Sequence, residues 1–233
     1  MDSYQQYTLQ TKQFYLDRRV GVADPNYHDR IAKYVGWSSQ SSQYLGFEIA
    51  TTFSEINWQD VNKILDIGCG YGNLVEYLRE NKNFSGEYTG IDILPEFIQE
   101  ATKIYGNDKR NKFIQGNFLT HDWSEGYDIV VSLGIISVNY DQPNEYGEKS
   151  KYYANKSIAL MVKLAKLGMS LYFLNEANIP VSQKQINSDI AFYQPGEIQQ
   201  MIENVADKRC ESLTIESYPD VNDVKTIARV CFT

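Results

Sequence analysis

Seven residues constrain this chain more tightly than any others: Asp66-Ile67-Gly68-Cys69-Gly70-Tyr71-Gly72. They end an apolar strand, Lys63-Ile64-Leu65-Asp66-Ile67, and lead into a helical pattern over about 71–80. Glycine lets the backbone bend sharply and lets a ligand approach with no Cβ in the way. The following helix start presents unpaired N–H groups to an acceptor. In an open parallel sheet such a turn lies at the carboxyl ends of the strands, where ligands bind. A tight turn without a ligand can use the same residues, so the rest of the chain has to decide.

Past residue 63, strand and helix patterns alternate. Glu87-Tyr88-Thr89-Gly90-Ile91 reads as a second strand, and Pro95 opens a helix to about Tyr105. Proline fits a first helical turn because its missing donor had no partner there. Lys112–Gln115 and Tyr127–Val131 give a third and a fourth strand, a helix is expected over Ser150–Ala165, and Ser170–Leu174 gives a fifth strand. A polar stretch over 178–194, a helix from near Pro195 and strands near 211–217 and 226–232 complete the pattern. Alternation of this kind predicts a parallel sheet covered on both faces, a three-layer α/β/α sandwich. The last two strands have no helix between them and predict an antiparallel hairpin at one edge. Residues 1–60 are Tyr- and Gln-rich and helical in texture, so they are expected to form a cap on a domain spanning 61–233. Within the cap, Ser38-Ser39-Gln40-Ser41 supplies N-cap hydroxyls for a helix carrying Tyr44, Leu45, Ile49 and Phe53. The four-residue spacing of Leu45, Ile49 and Phe53 predicts that they share one face.

The second strand ends at Gly90-Ile91-Asp92-Ile93, which places Asp92 twenty residues after Gly72. An acid at that distance accepts hydrogen bonds from ribose hydroxyls, although it can also cap the helix that begins near Pro95. Together with the glycine turn, the ribose reading is the better one and predicts a bound nucleoside. The dinucleotide fingerprint G-x-G-x-x-G does not fit, because the third glycine, Gly72, comes one residue early. A nicotinamide oxidoreductase is disfavoured accordingly.

Asp66 stands two residues before the first glycine, and this D-x-G-x-G-x-G pattern resembles the first motif of the class I S-adenosylmethionine-dependent methyltransferases. The resemblance runs over residues 63–175 with several motifs in order. It implies a Rossmann-like fold with a mostly parallel seven-stranded sheet and a C-terminal antiparallel strand. It also implies S-adenosylmethionine as cofactor, with S-adenosylhomocysteine as product. By position it assigns Asp66, Gly68, Cys69, Gly70 and Gly72 to the cofactor turn, Asp92 to the ribose and Ile93 to the adenine edge. Asn117 and Phe118, in Gly116-Asn117-Phe118, fall beside the adenine, with an amide where an acid is more usual. Ser132, ending the fourth strand, falls by the methionine part. The stretch Val35-Gly36-Trp37-Ser38-Ser39-Gln40-Ser41-Ser42-Gln43 with Phe47 resembles the cap segment of bacterial small-molecule methyltransferases, which puts Trp37 over the cofactor. Packing alone also accounts for a tryptophan there. Members often carry Arg just before the Phe, where this chain has Gly46.

Methyl transfer asks the protein chiefly to align a nucleophile and exclude water; good alignment is worth up to roughly 7–11 kcal/mol of the barrier. A base is needed only where the acceptor must lose a proton early. His28, beside Asp29 in the cap, and Glu176, ending the fifth strand, are the candidates. Each also has an ordinary reading, as a loop histidine and as a capping or solvated acid. His121 falls nearer the adenine and is read as structural. Eighteen tyrosines, among them Tyr4, Tyr7, Tyr15, Tyr27, Tyr34 and Tyr44 in the cap and Tyr140, Tyr146, Tyr152 and Tyr153 after the fourth strand, suggest an aromatic acceptor pocket.

The remaining limits come from composition. A formal charge of −8 gives no footprint for phosphate backbones, so nucleic acid is not expected as a partner. Three dispersed cysteines, Cys69, Cys210 and Cys231, and only two histidines give neither a disulfide framework nor a zinc pattern, so no metal is expected. A reducing cytoplasm fits that cysteine usage. The longest charge-free apolar run, Ile129–Tyr140, is far short of the roughly 20 residues of a membrane helix, so no membrane partner is expected. The expected protein is a methyltransferase acting on an O or N atom of a small molecule. An inactive cofactor-sensing or partner-binding module on the same fold is the alternative.

Overall fold

The computed structural model describes residues 3–19, 22, 24–138, 151–179, 190–218 and 225–233. Three helices come first: α1 (Ser3–Arg19), α2 (Tyr27–Tyr34) and α3 (Gln40–Ala50). Then β1 (Lys63–Ile67), α4 (Asn73–Asn81), β2 (Glu87–Asp92), α5 (Pro95–Tyr105), β3 (Asn111–Gln115) and β4 (Tyr127–Ser132) alternate much as the apolar pattern predicts. After α6 (Lys151–Leu164), strand β5 (Ala165–Leu174) starts five residues earlier than expected. The chain closes with α7 (Pro195–Ala206), β6 (Cys210–Ser217) and β7 (Lys225–Phe232).

The seven strands form one sheet in the order β3-β2-β1-β4-β5-β7-β6. β1 to β5 are mutually parallel and β7 is antiparallel to both β5 and β6. The hairpin is present, but the last strand does not lie at the edge: β7 slots between β5 and β6, and β6 is the edge. Strands buried on both faces read as continuous apolar runs, which is why Ile64, Leu65 and Ile67 of β1 and Ile129, Val130 and Val131 of β4 are all fully buried.

Local chemistry fixes the cap helices. Asn26 caps α2, its side chain accepting from the backbone N–H of His28 and Asp29, and Ser39 caps α3 by accepting from Ser42 N. The predicted sharing of one face stops short of Phe53, and the side of α3 that carries Leu45 is not the buried one. Leu45 is 38% exposed, and Phe53 lies beyond the helix, which ends at Ala50. Gln43, Gly46, Phe47 and Ala50 face inward instead. The reason is Gly46: the Trp37 ring lies on it so closely that a Cβ there would stand 2.4 Å from Trp37 Cη2. A glycine opposite a large aromatic buries a helix face that hydrophobicity alone does not mark. Residues 1–60 also differ within themselves. Phe47 of α3 joins the core cluster of Ile64, Leu78 and Val131 beneath the sheet, whereas α1 packs on α2 and over the glycine turn.

Candidate functional site

The glycine turn is stitched to the neighbouring strand. Gly68 N and Cys69 N both donate to Ile91 O, at 2.8 and 3.1 Å, and Gly70 N donates to Asp92 Oδ2 at 2.9 Å. Gly68 and Gly70 hold φ of 76° and 54°, left-handed values that a side chain resists. Leu94 N donates to the second carboxylate oxygen of Asp92 at 2.9 Å, so this acid both ties down the turn and begins the approach to α5.

Strand order spreads the rest of the site along one sheet edge. On the β2–β3 side of the turn lie Asp92, Ile93, Phe97, Gly116, Asn117 and Phe118; on the β4 side lie Leu133, Gly134 and Ile135. The cap contributes Thr11, Tyr15, Trp37, Gln43 and Phe47. Together these residues line one cavity over the glycine turn. A Cβ on Gly116 would meet nothing nearer than Ile91 at 3.9 Å, so the wall is bare there. Gln43 is only 4% exposed and lines the cavity, yet its carboxamide has no hydrogen bond to any described residue. Buried amides are normally satisfied; one left open towards a cavity is suited to a ligand's polar group.

Burial dominates the electrostatics. Asp92 is pushed up to about 6 by desolvation, against the pull of the backbone N–H groups of Leu94 and Gly70. Asp66 is pushed up to about 7 by the same cause, helped by the charge of Asp92 and opposed by the Tyr88 hydroxyl, which donates to it at 2.6 Å. Cys69 is also raised by burial, so its thiol stays protonated and packs against Gly90.

Of the residues expected at the cofactor, Asp66, Gly68, Cys69, Gly70, Asp92, Ile93, Asn117, Phe118 and Trp37 do line this cavity. Gly72 does not; it sits at φ 77° as the N-cap of α4. Ser132 is fully buried, and its hydroxyl donates to Ile67 O at 3.0 Å, tying β4 to β1 rather than facing the cavity. Asn117 is spoken for on both sides: Oδ1 accepts from Leu119 N at 2.9 Å and Nδ2 donates to Thr8 Oγ1 of α1 at 3.1 Å. It therefore clasps the cap to the loop after β3. His121 stacks edge-on to Trp123, with ring centroids 4.4 Å apart.

A second cavity adjoins the first and shares Tyr15, Val35, Trp37, Leu133 and Gly134 with it. It continues along the same edge to β5 and β7, where Tyr172, Leu174 and Lys225 line it. Tyr15 stands at the junction, its hydroxyl 3.7 Å from where a Cβ of Gly134 would be. Neither expected base lies in either cavity. His28 is exposed on the first turn of α2, and Glu176 accepts from Gln194 Nε2 at 3.1 Å in a short helical turn after β5. Of the tyrosines expected to form a pocket, Tyr15 lines both cavities, while Tyr27 and Tyr152 are largely exposed and Tyr34, Tyr44 and Tyr153 line neither. Tyr140 and Tyr146, and the side chains of Tyr4 and Tyr7, lie outside the described residues. Ser137, Tyr172 and Lys225 carry no sequence mark; only the fold brings them to the site.

A glycine turn bonded to an acid at the next strand end, on a sheet of this order, defines a Rossmann-like domain built for a nucleoside cofactor. Residues 59–226 match the family model described as a methyltransferase domain, and the chain belongs to that family, whose methyl donor is S-adenosylmethionine. A Mycobacterium tuberculosis protein, Rv1506c, provisionally named a methyltransferase, is 46% identical over 83 residues, 36% of this chain and 47% of its own length. The chain thus spans about half the length of the curated relative it matches. Among solved structures it is similar to magnesium protoporphyrin IX methyltransferase of Synechocystis PCC 6803, with S-adenosylhomocysteine bound. There the TM-score is 0.63 at 14% identity over 97% of this chain and 96% of that one. It is also similar to the N-methyltransferase NodS of Bradyrhizobium japonicum WM9, again with S-adenosylhomocysteine, at TM-score 0.59 and 14% identity over 96% and 98% of the two chains. At that identity the likeness is one of fold.

Proposed function

We propose that this protein transfers a methyl group from S-adenosylmethionine to an oxygen or nitrogen of a small organic acceptor held in the second cavity. The observation that carries this reading is the shared wall: Tyr15, Trp37 and Gly134 belong to both cavities, so a donor in one and an acceptor in the other would meet there. When bound, the cofactor supplies an electrophilic methyl on a sulfonium, and the acceptor's lone pair takes it in line while the sulfur keeps the electrons of the broken bond.

The residues present fit the group. The bare glycine backbone and Gly116 leave room for the adenosine, the Asp92 carboxylate lies on the ribose side, and the open carboxamide of Gln43 suits a polar end of the methionine portion. Trp37, Tyr15 and Phe47 exclude water from above the turn, which strengthens the remaining polar contacts. The described walls of the second cavity hold no carboxylate or imidazole. That favours an acceptor that is nucleophilic without help from a base there, such as an amine or an oxygen already ionised. The net charge of −8 favours a small acceptor over nucleic acid.

Calorimetric titration with S-adenosylhomocysteine beside NADH tests the donor. S-adenosylhomocysteine is expected to bind, NADH not, and Asp92→Ala to weaken the first at least tenfold. Binding of NADH alone would overturn the reading.

A further inference from the structure

Five aromatic rings and one cation shape the second cavity. Phe14 and Tyr15 of α1, Trp37, Tyr172 of β5 and Phe192 supply the rings, and Lys225, the first residue of β7, supplies the only formal charge among the described lining residues. The lysine amine stands 3.1 Å from Ser42 Oγ and 4.8 Å from the centre of the Trp37 ring. A cation set into an aromatic wall is a local inversion in a chain whose net charge is −8. Ser137 also lines the cavity, although its hydroxyl oxygen is itself buried, with no hydrogen-bond partner.

From this arrangement we infer that the acceptor is a planar aromatic molecule bearing an anionic group, its ring against the Trp37–Tyr172 wall and its charge at Lys225. The inference rests on the reading above that the second cavity takes the acceptor. Flat rings pair well with a flat ligand, by offset stacking or edge-to-face contact, beyond the area they bury. An aromatic-lined cavity can also hold an ammonium ion, but here Lys225 already occupies the neighbourhood of the Trp37 ring and would repel a second cation. An anionic group gains at Lys225 what a neutral one cannot, because the surroundings are largely apolar and weaken the attraction less than water does. An anionic oxygen on the ring, moreover, needs no base, in keeping with cavity walls that carry none among the described residues.

The test uses the full chain saturated with S-adenosylhomocysteine and three probes of nearly equal shape: 2-naphthoate, 2-naphthamide and 2-naphthylmethylammonium. Calorimetry is expected to show naphthoate binding at least tenfold more tightly than the amide, and the ammonium more weakly than either. Lys225→Met should bring naphthoate down to the affinity of the amide while leaving the amide unchanged, and Lys225→Arg should restore the preference. The wild-type ranking stands as a test even if Lys225→Met fails to fold. Equal affinities for the three probes, no binding of any of them up to millimolar concentration, or a preference that survives Lys225→Met in a folded protein would overturn the proposal. Should S-adenosylhomocysteine itself fail to bind, the underlying methyltransferase reading falls instead, so the two failures are distinguishable.

Discussion

Gly46→Ala is the most informative single perturbation of this molecule, because helix propensity and packing pull it in opposite directions. A Cβ at position 46 would stand 2.4 and 2.6 Å from Trp37 Cη2 and Cζ3, and 3.2 Å from the Tyr218 hydroxyl oxygen. Carbon atoms prefer separations of about 3.5–4.0 Å, so the indole has to retreat by roughly 1 Å. It has little room to do so: Trp37 is 7% exposed and is held between Phe47 and Tyr172, with ring centroids 6.2 and 5.8 Å away. Overpacking of this kind costs about 1–3 kcal/mol, whereas alanine in place of glycine inside a helix gains about 1 kcal/mol. The net loss, between nothing and about 2 kcal/mol, combines the two opposing effects. Trp37→Phe separates them, since a phenyl ring lacks the outer atoms that make the clash. In that background Gly46→Ala should stabilise by the propensity term alone, leaving a coupling of about 1–3 kcal/mol between the two sites. Urea unfolding of the four proteins measures the coupling, and thermal melting should show it as about 2–4 °C per kcal/mol for a chain of this size. Additivity within about 0.5 kcal/mol would refute the claim that Trp37 is what keeps position 46 a glycine.

Two further outcomes follow from the site. Folded Asp66 and Asp92 hold protons, up to about 7 and about 6, that the unfolded chain releases near 3.8, so their contribution favours the fold at low pH and is lost as pH rises between those limits. Urea midpoints taken from pH 4.5 to 7.5 should show this decline, and Asp66→Asn, which keeps an acceptor for Tyr88, should flatten it; an unchanged slope in the variant would count against a buried, protonated Asp66. The Thr8–Asn117 hydrogen bond closes α1 over the first cavity, and a bond of that kind contributes about 0.5–1.5 kcal/mol. Thr8→Val should therefore release S-adenosylhomocysteine about two- to tenfold faster in a stopped-flow displacement, with a dissociation rate equal to wild type as the contrary result.

What could be read from the sequence follows from how far apart the interacting residues lie. β1, β2 and β4 are short apolar runs closed by polar or glycine positions, and the glycine turn and Asp92 are set by local bends and by adjacent strands; all of these were legible. Ser132 was misplaced because its position at a strand end does not reveal where its hydroxyl points, and that hydroxyl went to the backbone of β1. The buried face of α3 escaped because a glycine and a glutamine carry no hydrophobic signal, while the ring that covers Gly46 comes from Trp37, outside that helix. The second cavity was beyond reach for the same reason on a larger scale: α1, the loop after β4, β5 and β7 each contribute a few residues, and only the sheet order makes them neighbours.

The unequal fastening of the cap has a consequence for motion. The end of α3 is bolted to the sheet, with Ser170 Oγ of β5 donating to Ala50 O and Arg229 of β7 donating to Ile49 O at 2.7 Å. Among the described residues, α1 is tied to the loop after β3 by the side-chain hydrogen bond between Thr8 and Asn117. Local opening draws on the least stable cooperative unit, which here is α1, with α2 behind it. Opening of the site is then expected to move α1 and α2 ahead of α3, while α3, and with it Gln43 and the Gly46 seat of Trp37, stays with the sheet to which Ser170 and Arg229 tie it.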